Sequence, residues 1–104
     1  QHLADVVVLI VNDIDAGGVG GYALEILASA TTAFASVHHG FATGVFAFGH
    51  EIGHLQGARH NDDSNTSPFP YGHGFNDPNG TWQTVMANPG SCPTCDRVQY
   101  WSNP

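Results

Sequence analysis

The chain opens on a continuous apolar run and then alternates apolar segments with glycine-rich breaks. Val6–Val11 is uninterrupted and rich in β-branched side chains, which is typical of a strand buried on both faces. Asn12–Gly18 is rich in turn residues and ends that strand. Phe34–His38 predicts a second strand. Tyr22–Thr32 is ambiguous, because glycines crowd its start although four residues have helical spacing: Leu24, Leu27, Ala28 and Thr31.

A helix is predicted to begin near Ala42 or Thr43 and to end at Gly57. Apolar residues recur at helical spacing on one side of it and predict a core-facing stripe: Val45, Phe48, Ile52 and Leu55. Gly49 and Gly53 lie one turn apart within it, and each costs about 1 kcal/mol relative to alanine in a helix interior. We therefore expect another backbone to pass close to that flank.

The remainder of the chain is poor in periodic pattern. Asn61–Gly80 predicts a loop, Trp82–Met86 a short extended piece, and the residues that follow an irregular segment. Strands followed by a helix predict an α+β domain in which a twisted sheet packs on the helix. Residues 1–104 are enough for one small domain.

The negative net charge of the chain limits which classes of partner it can bind. Two basic residues against nine acidic residues give a formal net charge of −7. This excludes nucleic-acid binding through a basic surface and disfavours an anionic membrane. No apolar run approaches the roughly 18 residues needed to span a bilayer. We expect the protein to be a monomer that acts on a peptide or protein substrate. We also expect it to be a secreted bacterial protein.

Both ends of the chain lie next to predicted structure. Gln1 is not an initiator residue, and Pro104 follows directly after a segment with two aromatic residues, Tyr100 and Trp101. We interpret residues 1–104 as a single incomplete domain, a piece of a longer protein. A signal peptide would lie outside this sequence.

One segment carries the pattern HExxHxxGxxH, which is far rarer than HExxH alone. On a helix, His50 and His54 are one turn apart and project from the same face. Glu51 is about 60° around the helix from His54, so it borders the same site without joining the two imidazoles as a ligand. The segment runs His50-Glu51-Ile52-Gly53-His54-Leu55-Gln56-Gly57-Ala58-Arg59-His60.

Glycine explains how the third imidazole reaches the site. Gly57 can adopt the left-handed conformation that ends a helix, which lets His60 return toward His50 and His54. Three neutral imidazoles leave one position of a zinc ion open, the arrangement of catalytic zinc sites, whereas structural sites are closed by four protein ligands. The sequence therefore predicts one catalytic zinc ion.

Other potential ligands predict less. Cys92 and Cys95 form one CxxC, for which a local disulfide is the preferred interpretation and free thiols the alternative. Asp62, Asp63 and Asn65 offer oxygen ligands for calcium, but their spacing does not fit an EF-hand loop, so a solvated acidic loop is favoured. Exposed polar roles are also favoured over contacts with the metal ligands or the substrate for three further histidines: His38, His39 and His73.

At the HExxHxxGxxH segment the chain resembles the metzincins, a clan of zinc metallopeptidases. Thr84–Ala87 resembles the methionine turn that follows this motif in the clan. The resemblance implies that Met86, the one methionine of the chain, lies as a hydrophobic floor under the metal.

Closer resemblance is to the bacterial peptidyl-Asp metallopeptidases, from Phe34 onward and more weakly at Val6–Val11. It implies a secreted endopeptidase that prefers an acidic residue just after the cut, and an edge strand over Gly18–Leu24 that lines the cleft. It also implies that upstream strands, a helix and the C-terminal end of the usual catalytic domain are missing from residues 1–104. The resemblance rests on five segments: residues 48–54, 57–61, 70–74, 82–87 and 100–104.

Two positions depart from the clan. Asn88 stands two residues after the methionine, where many members have a tyrosine that contacts the metal or the transition state. Asn61 stands where an aspartate often follows the third histidine. That aspartate is mainly structural in the clan, so we expect its replacement to affect stability more than chemistry.

The predicted reaction is peptide-bond hydrolysis. Glu51 acts as the general base toward a water activated by the ion and then protonates the departing amine. An acidic substrate side chain needs a positive partner, for which Arg97 is preferred and Arg59, which could instead brace the loop, is the alternative. Two other functions compete: a zinc hydrolase of non-peptide amides or esters, and a non-catalytic metal-binding or protein-binding remnant of a peptidase.

Overall fold

The computed structural model describes residues 4–12, 20–65 and 68–102. These residues form five strands and one α-helix. The strands are β1 Val7–Val11, β2 Gly21–Ala23, β3 Phe34–His38, β4 Trp82–Thr84 and β5 Asp96–Val98, and the helix is α1 Ala47–Leu55. Short 3-10 turns cover His39–Phe41 and Pro89–Ser91. The predicted α+β class is therefore confirmed for the described residues.

Three strands form one sheet in the order β1-β3-β2. β1 is parallel to β3, with Val7 opposite Phe34, and β2 is antiparallel to β3, with Tyr22 opposite Ser36. The two strands predicted from apolar runs are confirmed. Within the described residues β2 lies at the sheet edge, as the resemblance implied for Gly18–Leu24, although residues 13–19 lie outside them.

The helical alternative for Tyr22–Thr32 is wrong. After β2 the chain bends and turns, and Leu27 adopts a left-handed conformation with φ 61°. The backbone N–H groups of Leu27 and Ala28 donate to the carbonyl oxygens of His54 and Leu55 at 3.0 and 2.8 Å. The segment thus satisfies the last carbonyl groups of α1, which helical backbone could not do.

The predicted burial of β1 on both faces is also wrong. Leu9 is 62% exposed and Ile10 is 50% exposed. The reason is that β1 is an edge strand of the described sheet, with β3 as its single neighbour there.

The helix begins at Ala47, later than predicted. Phe46 has φ 58°, a left-handed conformation that interrupts helical backbone, and Val45 lies before α1. The Val45 carbonyl oxygen accepts a hydrogen bond from Arg97 Nη1 at 2.8 Å instead of one from the next helical turn. The apolar stripe is confirmed at Leu55, which is buried, and in part at Ile52, which is half-buried. It is wrong at Val45, which lies outside the helix, and at Phe48, which is 43% exposed.

Side chains, not a backbone, contact the glycine flank of α1. A β-carbon at Gly53 would collide with Sδ of Met86, and one at Gly49 would lie 3.8 Å from Nε1 of Trp101. Trp101 also donates from Nε1 to the Gly49 carbonyl oxygen at 3.0 Å. Gly53 is therefore needed for the approach of Met86.

The C-terminal part contains one strand more than predicted. β4 falls within the predicted extended piece, but β5 lies in the segment predicted to be irregular and pairs with β4 in parallel. A three-residue strand is too short for its apolar pattern to reveal it.

Cys92 and Cys95 form the predicted local disulfide. No helix in the described part of the chain is long and apolar enough to cross a membrane.

Candidate metal centre

The end of α1 has the geometry that brings a third histidine back to the helix. Gly57 has φ 99°, its N–H donates to the His54 carbonyl oxygen at 2.8 Å, and the Ala58 N–H donates to the Gly53 carbonyl oxygen at 2.9 Å. These two bonds form a Schellman motif. The chain reverses there, as predicted for Gly57, and His60 returns to the face that carries His54.

The three imidazoles converge on one point. His50 Nε2 lies 3.0 Å from His60 Nε2 and 3.1 Å from His54 Nε2, and the third side of this triangle is 3.1 Å. In the described part of the chain, this is the one cluster of histidine, cysteine and carboxylate side chains suited to a metal ion. The three predicted ligands are therefore close enough to share one ion.

Hydrogen bonds orient two of these rings. His50 Nδ1 lies 2.6 Å from the Val85 carbonyl oxygen, and His54 Nδ1 lies 2.8 Å from the Ala58 carbonyl oxygen. A carbonyl oxygen is an acceptor, so we assign the ring proton of each to Nδ1. Nε2 is then an unprotonated ligand atom, and carbonyl partners of this kind are typical behind metal-bound histidines.

Burial also keeps the three rings neutral. Desolvation lowers the pKa of His50 to about 4, against the opposing effect of its hydrogen bond to Val85. Burial likewise lowers the pKa of His54 and of His60. At neutral pH the site therefore presents three uncharged imidazoles whose Nε2 atoms face one another.

Such a set of groups fits zinc. Unprotonated Nε2 atoms of His50 and His54 lie 3.1 Å apart and cannot hydrogen bond to each other. A cation where the three Nε2 atoms meet would be bound by both, and by His60 when its ring proton is on Nδ1. Tetrahedral zinc with Zn–N bonds of about 2.0–2.1 Å needs nitrogens about 3.3 Å apart, close to the 3.0–3.1 Å between these atoms.

Glu51 lies beside this cluster, beneath the edge of the sheet. It is 5% exposed, and desolvation raises its pKa to about 7, while a hydrogen bond from the Ala23 backbone opposes the shift. A β-carbon at Gly21 of β2 would lie 2.7 Å from Glu51 Cγ. Because glycine has no side chain, this position leaves room for the Glu51 carboxyl group. A carboxyl group with a pKa near 7 can both accept and donate a proton at neutral pH.

Met86 has no exposed surface and packs against Gly53 of α1. Its N–H donates to the Trp101 carbonyl oxygen at 3.2 Å, and the preceding residue supplies the carbonyl oxygen that orients His50. Thr84–Ala87 forms a turn closed by a hydrogen bond from the Ala87 N–H to the Thr84 carbonyl oxygen at 3.1 Å. This turn therefore positions both the His50 ring and the methionine side chain.

A cleft of about 900 Å³ runs past His50, Glu51 and His60. β2 forms one side. His38 N–H donates to the Gly20 carbonyl oxygen and Leu24 N–H donates to the Phe34 carbonyl oxygen, both at 2.9 Å. Because strand residues alternate, the N–H and C=O of Gly21 point away from β3. The segment after Thr84–Ala87 also lines the cleft, with Asn88, Pro89, Pro93, Cys95, Asp96 and Arg97.

The two arginines differ in position. Arg97 lines the cleft and donates from Nη1 to the Val45 carbonyl oxygen at 2.8 Å and from Nη2 to the Ala87 carbonyl oxygen at 2.6 Å. Arg59 does not line the cleft and forms an ion pair with Asp63 at 2.8 Å. Arg59 thus braces the loop, which was the alternative to its substrate role.

The two departures from the metzincin pattern contact each other. Asn61 Oδ1 accepts a hydrogen bond from the Asn88 N–H at 2.8 Å. The Asn88 side chain lines the cleft, but it donates to Asp62 at 3.1 Å and accepts from the Gly90 N–H at 3.1 Å. The asparagines therefore tie the segment after the methionine turn to the segment after His60.

The remaining polar candidates have partners away from the metal cluster. His38 accepts a hydrogen bond from the Gly40 N–H, His39 pairs with Asn12, and His73 pairs with the Asn65 carbonyl oxygen. Both carboxylate oxygens of Asp63 are already bonded, one to Arg59 and one to the Asn65 N–H. These contacts agree with the polar and loop roles favoured for these residues.

Sequence reasoning missed two groups at the site. One is the Val85 carbonyl oxygen, which any residue type could supply. The other is Gln83, which is buried, lines the cleft and lies opposite Arg97 in the β4–β5 pair. A single glutamine in a short strand gave no reason to select it.

Comparisons with known proteins agree with this geometry. The sequence model of Metallo-peptidase family M12 matches residues 1–102. Peptidyl-Asp metalloendopeptidases of Xanthomonas campestris pv. campestris and Stenotrophomonas maltophilia are 49% and 48% identical over 99% and 97% of this chain. One from Pseudomonas fragi is 53% identical over 61% of it and 44% of its own length.

The chain spans 24% of the length of the first two relatives, about a quarter. A solved structure described as a chaperone-substrate complex superposes with a TM-score of 0.67 at 30% identity, covering 98% of this chain and 15% of that one. The match to the family model extends over nearly the whole sequence and includes the histidine cluster. The chain therefore belongs to metallopeptidase family M12.

Proposed function

We propose that the protein is a zinc-dependent endopeptidase in which His50, His54 and His60 hold the ion and Glu51 is the general base. The observation that carries this proposal is the convergence of three Nε2 atoms within 3.0–3.1 Å beside a buried carboxyl group with a pKa of about 7. The kinship with peptidyl-Asp metalloendopeptidases supports a peptide substrate over a non-peptide amide or ester.

When bound, zinc would lower the pKa of a water molecule and polarise the scissile carbonyl group. Glu51 takes a proton from the attacking water and delivers it to the departing amine nitrogen. The Ala23 backbone and the space left at Gly21 hold the Glu51 carboxyl group in place. An intact Glu51 at this position supports catalysis over a non-catalytic remnant.

The substrate lies in the cleft as an extended strand. The outward N–H and C=O of Gly21 on β2 are available to pair with its main chain, which is how sheet edges bind extended peptides. Arg97 is the basic residue of the cleft lining, so it is the partner for an acidic side chain just after the cut. Met86 serves as the apolar floor below the histidines.

The site of action is outside the cell. The Cys92–Cys95 disulfide supports an oxidising compartment, because such bonds are rare in the cytosol. The relatives named above are bacterial, which supports a bacterial source for this enzyme.

Metal analysis followed by peptide assays tests the proposal. We expect about one zinc ion per protein molecule, cleavage of casein or a peptide library, loss of cleavage with chelator and recovery with zinc. Glu51→Gln should bind zinc and cleave nothing. Cleavage by that variant, or zinc binding without any cleavage by the unmodified protein, would contradict the proposed function.

A further inference from the structure

Three buried polar atoms in the described part of the chain have no hydrogen-bond partner: Asn76 Oδ1, Gln83 Oε1 and Arg97 Nε. Burying a polar group without a partner costs free energy, so even one such atom calls for an explanation. Here the three atoms belong to residues that are neighbours in the sheet. Asn76 forms an antiparallel bridge with Gln83, and Gln83 is the register partner of Arg97 in the parallel pair of β4 and β5.

This arrangement places the three side chains in one row. Register partners in a sheet project from the same face, so the Gln83 amide lies between the Asn76 amide and the Arg97 guanidinium. Gln83 is 5% exposed and lines the cleft together with Arg97. The row therefore runs from the loop before β4 to the wall of the cleft.

The chemical groups in the row are complementary. Arg97 Nε is a donor without an acceptor, and Gln83 Oε1 is an acceptor without a donor. The nitrogen of the same Gln83 amide can donate to Asn76 Oδ1. Asn76 already donates from Nδ2 to Ser91 Oγ at 2.7 Å, and Ser91 Oγ donates to the Asn88 carbonyl oxygen at 2.6 Å.

We propose that Gln83 is a positioning residue that links Arg97 to this chain of hydrogen bonds and thereby fixes the guanidinium in the substrate cleft. Its Oε1 accepts from Arg97 Nε and its nitrogen donates to Asn76 Oδ1. A small rotation of the amide, or one enclosed water of the same polarity, completes both links.

Fixing Nε matters for what the guanidinium can still bind. Nη1 and Nη2 each use one N–H, on the carbonyl oxygens of Val45 and Ala87. With Nε held by Gln83, one N–H remains on each terminal nitrogen. Two such donors on one rigid plane suit the two oxygens of a carboxylate, so Gln83 would set the affinity for an acidic substrate side chain without contacting it.

The kinetic test rests on the proposed endopeptidase function. Gln83→Met keeps the length of the side chain and removes both hydrogen-bonding groups. It would be assayed with zinc on two peptides that differ only by Asp or Asn just after the cut. We expect kcat/KM for the Asp peptide to fall about tenfold, mainly through KM, and that for the Asn peptide to change by less than about twofold.

Two further variants sharpen the comparison. Gln83→Glu keeps an acceptor for Nε but places a negative charge beside the guanidinium, so it should reduce Asp cleavage more than Gln83→Met does. Asn79→Ala, on the exposed loop before β4, should behave like the unmodified protein on both peptides. An equal loss on both peptides in Gln83→Met would contradict the proposal, because general damage to the fold would produce it.

A second readout does not need activity. The Nε–H of Arg97 gives a nuclear magnetic resonance signal, assigned by its loss in Arg97→Lys. We expect slow exchange with solvent in the unmodified protein and at least about tenfold faster exchange in Gln83→Met. Unchanged exchange would overturn the role of Gln83 even if the protein cleaves no peptide, whereas failure to cleave with zinc bound would refute the proposed function alone.

Discussion

Gly53 of α1 lies against the sulfur of Met86, and a β-carbon at this glycine would occupy the same space. Met86 has no exposed surface, and its predecessor Val85 orients the His50 ring. One contact thus joins the helix that carries two of the histidines to the turn below them. The absence of a side chain at Gly53 is therefore a requirement of the site, although glycine weakens a helix.

Two glycine-to-alanine substitutions on α1 should have opposite effects on stability. Gly53→Ala should lower the free energy of unfolding by about 1–3 kcal/mol, because Met86 must move. Gly49→Ala should raise it by about 0.5–1 kcal/mol, because its β-carbon meets Trp101 only at ordinary contact distance. Urea unfolding measures both, and a Gly53→Ala protein as stable as the Gly49→Ala protein would contradict the packing described here.

Stability of the metal-free protein should depend on the protonation of Glu51. Burial raises its pKa from 4.5 to about 7, so the folded protein holds this proton more tightly than the unfolded chain. The contribution of Glu51 to the free energy of unfolding is therefore fully present below pH 4.5 and is lost as pH rises through 7. The total loss is at most about 3 kcal/mol.

Glu51→Gln removes that loss because the amide stays neutral. Without metal, we expect the variant to exceed the unmodified protein in free energy of unfolding at pH 8 and to match it near pH 4.5. Denaturant titrations at the two pH values measure the difference. If the two proteins differ in free energy of unfolding by the same amount at both pH values, Glu51 does not titrate as proposed.

Gly21→Ala should reduce turnover without removing the metal. The new β-carbon would lie 2.7 Å from Glu51 Cγ and displace the carboxyl group. A misplaced base lowers kcat, for which we expect a loss of about 10²-fold. Zinc content and KM should stay near those of the unmodified protein, with Gly49→Ala as the steric control. Full turnover in Gly21→Ala would show that this contact does not position the base.

Selectivity should depend on one arginine. Arg97→Ala is expected to abolish a preference for Asp over Asn after the cut, while Arg59→Ala should leave that preference unchanged, because Arg59 pairs with Asp63 outside the cleft lining. Sequencing of products from a peptide library measures the preference. An acidic preference that survives in Arg97→Ala would rule out this assignment.

The site was largely predictable because its parts are local. His50 and His54 follow from helical spacing, and His60 from the turn that Gly57 permits. The start of α1 was not predictable, because left-handed backbone at Phe46 interrupts the helical pattern and the Val45 carbonyl oxygen bonds to Arg97, a residue far away in sequence. Periodicity describes a helix face but does not show which distant side chain binds its first carbonyl groups.

The second sheet shows the same limit. β5 is three residues long, and its pairing with β4 is a long-range contact that no local pattern contains. Gln83 and Asn76 likewise acquire a connection with Arg97 only through that pairing. The exposure of β1 depends on which strands lie beside it, which its own apolar composition does not show.

Whether one zinc ion binds where the three Nε2 atoms meet can be measured by anomalous diffraction at the zinc edge from crystals of the zinc-loaded protein. We expect a single strong peak about 2.0–2.1 Å from Nε2 of His50, His54 and His60. No peak at that position in crystals saturated with zinc, or a peak bound by other residues, would contradict this expectation.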